Sequence, residues 1–212
     1  MSRETRALQD DEATGPAVLW LLDGEALWKR NCVGCHGNMK TDMKGVAARY
    51  PKFDGKRLMN LEQQINLCRV ERQKEPAFAY ESRDLLSLTV FIGRQSRGMP
   101  IDISESKPHL DAGRATFFRR QGQLHLSCSQ CHDERSGKSL AGNLIPQGHP
   151  TGYPIYRLEW QNLGSLQRRL RNCMIGVRAE PYAYGSQEFV ELEYYLMWRA
   201  RGMKLETPAV RP

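Results

Sequence analysis

The chain has 212 residues, enough for one large or two small domains, and its 40% apolar content supports cores of modest size. The formal charge is +7, and no apolar run reaches the roughly 18 residues a membrane span requires. Met1 to Thr14 is polar and charged, and Ala17 to Leu22 is too short for the apolar centre of a secretory leader.

In chain order, a first helix is predicted over Leu22 to Arg30, running into Cys32-Val33-Gly34-Cys35-His36. A Gly- and Pro-containing loop follows from Met39 to Pro51. Leu58, Leu61 and Ile65 form a helical stripe over Leu58 to Leu67, with Cys68 just beyond. Ser82 is a candidate N-cap for a helix over Leu85–Phe91, which leads to Arg97-Gly98-Met99. A polar stretch from Ile101 to Lys107, ending at Pro108, reads as a boundary. Then the order repeats. A helix over Leu110 to Gln121, with Ala115, Phe117 and Phe118, leads to Cys128-Ser129-Gln130-Cys131-His132. A long loop runs from Asp133 to Pro154, and Leu163, Leu166 and Leu170 form a stripe before Cys173. Ser186 caps Phe189–Leu196, and Arg201-Gly202-Met203 closes the second copy. Strand signals are poor throughout.

Cys-x-x-Cys-His reads as a c-type haem attachment site: two thiols bind the porphyrin edge and the next residue ligates iron. One copy could be half a zinc site or a redox dithiol; two complete copies in a repeated frame point to two covalent haems. Cys32, Cys35, Cys128 and Cys131 would attach them, and His36 and His132 would be the proximal ligands. Cys68 and Cys173 are each followed seven residues later by Glu-Pro, at Glu75-Pro76 and Glu180-Pro181. Phe78-Ala79-Tyr80-Glu81-Ser82 matches Tyr182-Ala183-Tyr184-Gly185-Ser186 with a slip of one residue. These matches predict a mostly α protein with long loops and little strand. It would be built as two duplicated cytochrome c-type domains, 1–105 and 106–212. Each ferric haem would contribute about one negative charge through its propionates. Haem c is attached outside the bacterial cytoplasm, so a periplasmic, processed chain is expected. No nucleic-acid partner and no membrane span are expected.

The distal ligands stay open on the residues alone. Cys68 and Cys173 could form a disulfide, pack as buried thiols, or each ligate its own iron, which is the reading repeat symmetry favours. Met99 and Met203 compete, since methionine is the common distal ligand of electron carriers. Met59 and His149 have no repeat partner and read as structural. Thiolate ligation would lower the iron potential and put a nucleophilic sulfur at the site. Arg169 precedes Cys173 by four residues, one helical turn. Arg157, Arg168, Arg171 and Arg178 add charge, as an anion site or as a solvated basic face. Around Cys68, Arg69 and Arg72 are offset by Glu62, Glu71 and Glu75.

The segments Gly152-Tyr153-Pro154-Ile155-Tyr156-Arg157-Leu158, Arg168-Arg169-Leu170-Arg171-Asn172-Cys173, Gly176-Val177-Arg178-Ala179-Glu180-Pro181-Tyr182 and Gly185-Ser186 resemble the SoxA subunits of the SoxAX cytochromes of sulfur-oxidising bacteria. The likeness covers nearly the whole chain, and the intact Cys32–His36 motif matches the dihaem type. The resemblance implies an L-cysteine S-thiosulfotransferase, which joins thiosulfate oxidatively to a cysteine of the carrier protein SoxYZ. Electrons would pass through haem to the monohaem cytochrome partner SoxX. It implies His36 and Cys68 on the first iron and His132 and Cys173 on the second. Cys173, which can carry an extra sulfur in the family, would be catalytic, with Arg169 holding thiosulfate. Two alternatives are a plain dihaem carrier with Met ligands and a thiosulfate dehydrogenase forming tetrathionate.

Overall fold

The computed structural model describes residues 2–11, 13–140 and 142–212. Its helices are α1 (Arg3–Asp10), α2 (Val18–Asn31), α3 (Val33–His36), α4 (Met39–Asp42), α5 (Leu61–Glu71), α6 (Arg83–Arg94), α7 (Lys107–Phe118), α8 (Cys128–His132), α9 (Leu166–Gly176) and α10 (Gln187–Arg199). Strands are only two or three residues long: β1 (Lys52–Phe53), β2 (Leu58–Met59), β3 (Ser139–Leu140), β4 (Asn143–Leu144), β5 (Ile155–Arg157), β6 (Asn162–Gly164) and β7 (Ala209–Arg211). The order α2, α3, β1–β2, α5, α6 recurs as α7, α8, β5–β6, α9, α10. The chain is therefore mostly helical and built twice.

Local chemistry explains the boundaries. Asn60 caps α5 through a reciprocal bond set with Gln63, and Ser165 caps α9 by accepting from the Arg168 N–H. Leu58 and Leu163, expected on these helices, instead lie in β2 and β6, where they are 5% and 0% exposed. Their spacing to the next leucine fits a helix, but the cap between them starts the helix later. Ser82 and Ser186 cap α6 and α10 as the sequence suggested. Helix α7 stops at Phe118, short of Gln121, because Arg119 is extended (φ −68°, ψ 127°). Its buried face is Leu110, Gly113, Thr116 and Phe117, while Ala115 and Phe118 face outward.

One close helix crossing holds each half. A Cβ on Gly24 of α2 would lie 2.2 Å from the Ser87 carbonyl of α6, and one on Gly113 of α7 would lie 2.1 Å from the Glu191 carbonyl of α10. Only a glycine lets these backbones approach so closely. The halves also share cores. Ala17, Trp20, Leu86 and Val90 pack on Tyr156, Leu163 and Val210. Leu58, Ile101 and Ile103 pack on Leu110, Val190 and Tyr194. The polar linker is thus pinned: Ile101 and Ile103 are buried, and Tyr194 bonds to the Ser104 carbonyl and the Ser106 N–H. Strand β7 pairs parallel to β5, and the Val210 N–H donates to Gln9 of α1 at 3.2 Å, so the first and last elements meet. The Arg-Gly-Met segments join the halves directly. The Gly98 N–H donates to the Leu205 carbonyl at 2.7 Å, and the Ile101 N–H to the Met203 carbonyl at 2.9 Å.

Replacing Gly113 with alanine should destabilise the haem-loaded protein by about 1–3 kcal/mol, because the added methyl must part α7 from α10. Denaturant unfolding measures this; unchanged stability would show that the crossing is looser than described.

Candidate haem centres and the Cys173 anion site

Both Cys-x-x-Cys-His segments form single helical turns. In the first, the Cys35 and His36 N–H groups both donate to the Cys32 carbonyl at 3.0 Å, and Gly37 ends the turn at φ +56°. In the second, Ser127 and Gln130 form a capping box, and Ser129 is buried beneath the turn. A turn of this kind sets two sulfurs side by side with the histidine one turn beyond the first cysteine. The His132 Nδ1 lies 2.7 Å from the Pro146 carbonyl. Donation there fixes the tautomer and leaves Nε2 free to ligate. Burial pushes the His132 pKa down, keeping the ring in the neutral form a metal requires. The His36 ring instead lies 5.6 Å from that of Trp28.

The helices after the strands bring one further cysteine to each turn. Cys68 of α5 is electrostatically coupled to Cys32, and Cys173 of α9 to Cys128 and Cys131. Burial is the main cause that pushes the Cys32 and Cys128 thiols up to about 11, with the neighbouring sulfurs adding to it. All six cysteines are free, so the possible Cys68–Cys173 disulfide is not formed.

Three buried donors beside these turns lack acceptors: Asn31 Nδ2, next to Cys32, and Trp198 Nε1 and Arg199 Nη1, beside the second turn. Trp198 packs on the cluster that also receives Cys128 and Leu170. Orphaned donors at these positions fit a group carrying carboxylates, as haem propionates do. The thiols, the histidines and these donors together fit haem c.

The five arginines named from the sequence do different things. Arg168 turns away from Cys173, lying over Trp160 at 4.5 Å and 3.8 Å from Glu81. Arg171 lies over Tyr184 at 4.8 Å and donates to the Tyr182 carbonyl. Arg178 is exposed, in a left-handed backbone conformation (φ +56°). Arg169 and Arg157 remain as the pair facing Cys173. Both charges oppose the rise that burial imposes on the Cys173 thiol, Arg169 more strongly. Burial and then the Arg169 charge depress the Arg157 pKa. Arg157 is 9% exposed and 3.1 Å from Glu159, while Arg169 has no carboxylate partner among the described residues. Tyr153 completes the surround; burial raises its pKa to about 12, against the pull of Arg169. No role for this residue is read from the sequence, although Tyr50-Pro51 and Tyr153-Pro154 are repeat-equivalent, and both bonds are cis. Pro146 carried no positional signal.

The first site has no such surround. The repeat-equivalent of Arg169 is Gln64, whose Nε2 donates to the Cys68 Sγ at 3.4 Å. Arg69 is taken up by the Pro76 carbonyl (2.6 Å), the Phe78 ring (3.9 Å) and Glu75 (3.7 Å). Glu62 does not offset these arginines; it points inward between the halves.

The other distal candidates lie elsewhere. Met203 is 41% exposed, and Met99 packs on Gly45. Met59 is buried in β2. Gly148 lies against the His132 ring, which puts the neighbouring His149 on the proximal side.

A helical fold repeated around Cys-x-x-Cys-His turns defines a c-type cytochrome, a protein with covalently bound haem. The family described as SoxA/TsdA, cytochrome c domain, matches residues 23–101 and 112–205. The L-cysteine S-thiosulfotransferase subunit SoxA of Pseudaminobacter salicylatoxidans is 35% identical over 98% of this chain and 77% of its own. The protein of the same name from Rhodovulum sulfidophilum is 33% identical over the same shares. The crystal structure of SoxXA from P. pantotrophus superposes with a TM-score of 0.95 at 29% identity, covering 100% of this chain and 84% of that one. The chain belongs to the SoxA family of c-type cytochromes.

Arg168→Ala should lower stability by roughly 1 kcal/mol through loss of the Trp160 and Glu81 contacts. Arg169→Ala should leave stability unchanged or raise it, since it removes a charge facing Arg157. Equal losses in thermal melts of the two variants would contradict this division of labour.

Proposed function

We propose that the chain is the SoxA-type subunit of an L-cysteine S-thiosulfotransferase and that Cys173 is its catalytic sulfur. The observation that supports this most is the division among the arginines: Arg169 faces Cys173 with no carboxylate partner among the described residues, Arg157 faces it while paired with Glu159, and Arg168 and Arg171 are engaged elsewhere. Two haems are held in domains 1–105 and 106–212. Cys32 and Cys35 attach the first, with His36 and Cys68 as iron ligands; Cys128 and Cys131 attach the second, with His132 and Cys173. The partners are a SoxX-type monohaem cytochrome c and the carrier SoxYZ, and the setting is the periplasm. No described helix is long and apolar enough to cross a membrane.

The residues divide the work as follows. Arg169 and Arg157 bind the sulfonate end of thiosulfate through charge-assisted hydrogen bonds. That orients the outer sulfur of thiosulfate toward Cys173 Sγ, and an S–S bond joins them as a Cys173 S-thiosulfonate. The carrier thiol, as thiolate, then attacks the outer sulfur, and the Cys173 sulfur departs as the leaving group. Overall, one thiol and one thiosulfate give one carrier S-thiosulfonate, one proton and two electrons. Bound haem supplies the electron acceptor for this oxidation. At the first site, Gln64 in place of Arg169 offers one neutral donor and no anion-binding charge.

A tetrathionate-forming thiosulfate dehydrogenase is the second reading, because the matching family description joins SoxA with TsdA. It requires no carrier protein. The Met-ligated carrier has less support, since Met99 and Met203 lie on the ladder that joins the halves.

Arg169→Ala should reduce kcat/KM for thiosulfate by on the order of 2–3 kcal/mol of transition-state stabilisation. Unchanged kinetics would assign this arginine to the surface. Cys173→Met should retain both haems by pyridine haemochrome assay while carrier-dependent coupling falls to near background. Wild-type turnover by that variant, or wild-type turnover without carrier, would overturn the proposal.

A further inference from the structure

A chamber of about 70 Å³ lies where the two halves meet. Its walls come in repeat-equivalent pairs: Tyr50-Pro51 with Tyr153-Pro154, Leu61 with Leu166, Gly93 with Met197. Two carboxylic side chains line it, Glu62 of α5 and Glu193 of α10, and Glu193 is only 6% exposed. The repeat partner of Glu193 is Thr89, which also lines the chamber. Thr89 is 2% exposed, and its Oγ1 has no hydrogen-bond partner. The repeat partner of Glu62 is Gln167, 1% exposed, whose side chain reaches the Glu193 carboxyl. No arginine, lysine or histidine is among the described residues that line the space.

We infer that this chamber is a hydrated proton-binding site in which the Glu62 and Glu193 carboxyls keep protons at the junction of the halves. The space is polar and roomy enough to hold ordered water. Water there would satisfy Thr89 Oγ1, which has no protein partner. Two carboxylates that line one small cavity, Glu193 buried and Glu62 partly so, disfavour ionising together when no basic side chain lines it. Of the titratable groups around the pair, one adds negative charge and the others are neutral phenols. Glu81 adds negative charge beside Glu62, although Arg168 stands 3.8 Å from it on the far side. Tyr80, Tyr50 and Tyr153 are neutral phenols. Asn60 Nδ2 donates to Glu193 Oε2 at 3.2 Å, and the Tyr80 hydroxyl lies 3.4 Å from Asn60 Oδ1. Burial lifts the Glu62 pKa to about 7, and burial followed by the Glu62 charge lifts that of Glu193 well above the usual carboxylate value. A metal cation fits less well, because it would need about six oxygen ligands, and the amide that reaches Glu193 presents its NH₂ side. Tyr153 closes the chamber on the side of Arg169 and Cys173.

The sign of the pH dependence follows. Unfolded glutamates release their protons near pH 4.5, whereas the folded pair keeps one until about pH 7 or above. The native state therefore binds more protons over that interval, and its stability falls as pH rises through it.

The test uses the haem-loaded chain. Infrared spectra at about pH 6 should contain the C=O stretch of protonated carboxylic acid that shifts in D₂O and loses intensity in Glu193→Gln, where one of the two carboxyls is gone. Melting temperature should fall between about pH 5 and 7 in the wild type, and the fall should flatten in that variant. If Glu193→Gln does not fold, Glu62→Gln serves in its place, because each substitution removes one of the two carboxyls that can carry the proton. An infrared spectrum unchanged by either substitution would overturn the inference. So would elemental analysis finding a stoichiometric metal ion in the wild type that Glu193→Gln lacks.

Discussion

The approach of Cys173 to the Cys128–His132 turn is the contact on which the rest depends. A cysteine sulfur held between two attachment thiols on one side and two guanidinium groups on the other is a costly arrangement without a cofactor. Burial alone pushes these thiols toward their neutral forms, and the arginines pull Cys173 back. The scaffold that enforces it is local and rigid. Ser165 starts α9, one helical turn carries Arg169 to Cys173, and the α7–α10 crossing at Gly113 fixes the wall behind α8. His132, tied to Pro146, faces the same space with one nitrogen uncommitted. The geometry makes chemical sense once haem c and an anion occupy the centre.

The duplication shows what distinguishes a reactive site from a related one. Caps, helices, strand pairs and the extra cysteine recur in both halves, yet the residue one turn before that cysteine differs. Gln64 gives Cys68 a single neutral hydrogen bond, whereas Arg169 gives Cys173 a full charge reinforced by Arg157. The same fold can therefore hold a redox centre in one half and an anion-activating sulfur in the other. The loop after the second turn is also longer than that after the first, with the added β3–β4 hairpin presenting Leu140 and Leu144, 64% and 69% exposed. The halves are not independent: Ile101, Ile103 and Tyr156 belong to cores assembled from both.

Much of this was legible from residues. The attachment turns, the repeat order and the serine caps follow from spacing and from side-chain hydrogen bonds that act within a few residues. Leu58 and Leu163 misled because their spacing fits a helix, while Asn60 and Ser165, between them and the helices, set the true start. The five arginines could not be sorted by sequence, since α9 distributes Arg168, Arg169 and Arg171 around its surface and only packing reveals that Trp160 and Tyr184 take two of them. Tyr153 and Glu62 acquire meaning only when the halves dock. For the tyrosine, the repeated Tyr-Pro pair was the available signal; for Glu62, its Gln167 counterpart carried no chemical hint.

On this reading each half brings its extra cysteine, and not its methionine, to the iron. Electron paramagnetic resonance of the oxidised haem-loaded protein tests it most directly. The expected spectrum holds low-spin signals of the histidine–thiolate type only, with one component altered in Cys68→Met and another in Cys173→Met. A dominant histidine–methionine signal that disappears when Met99 and Met203 are replaced would contradict it.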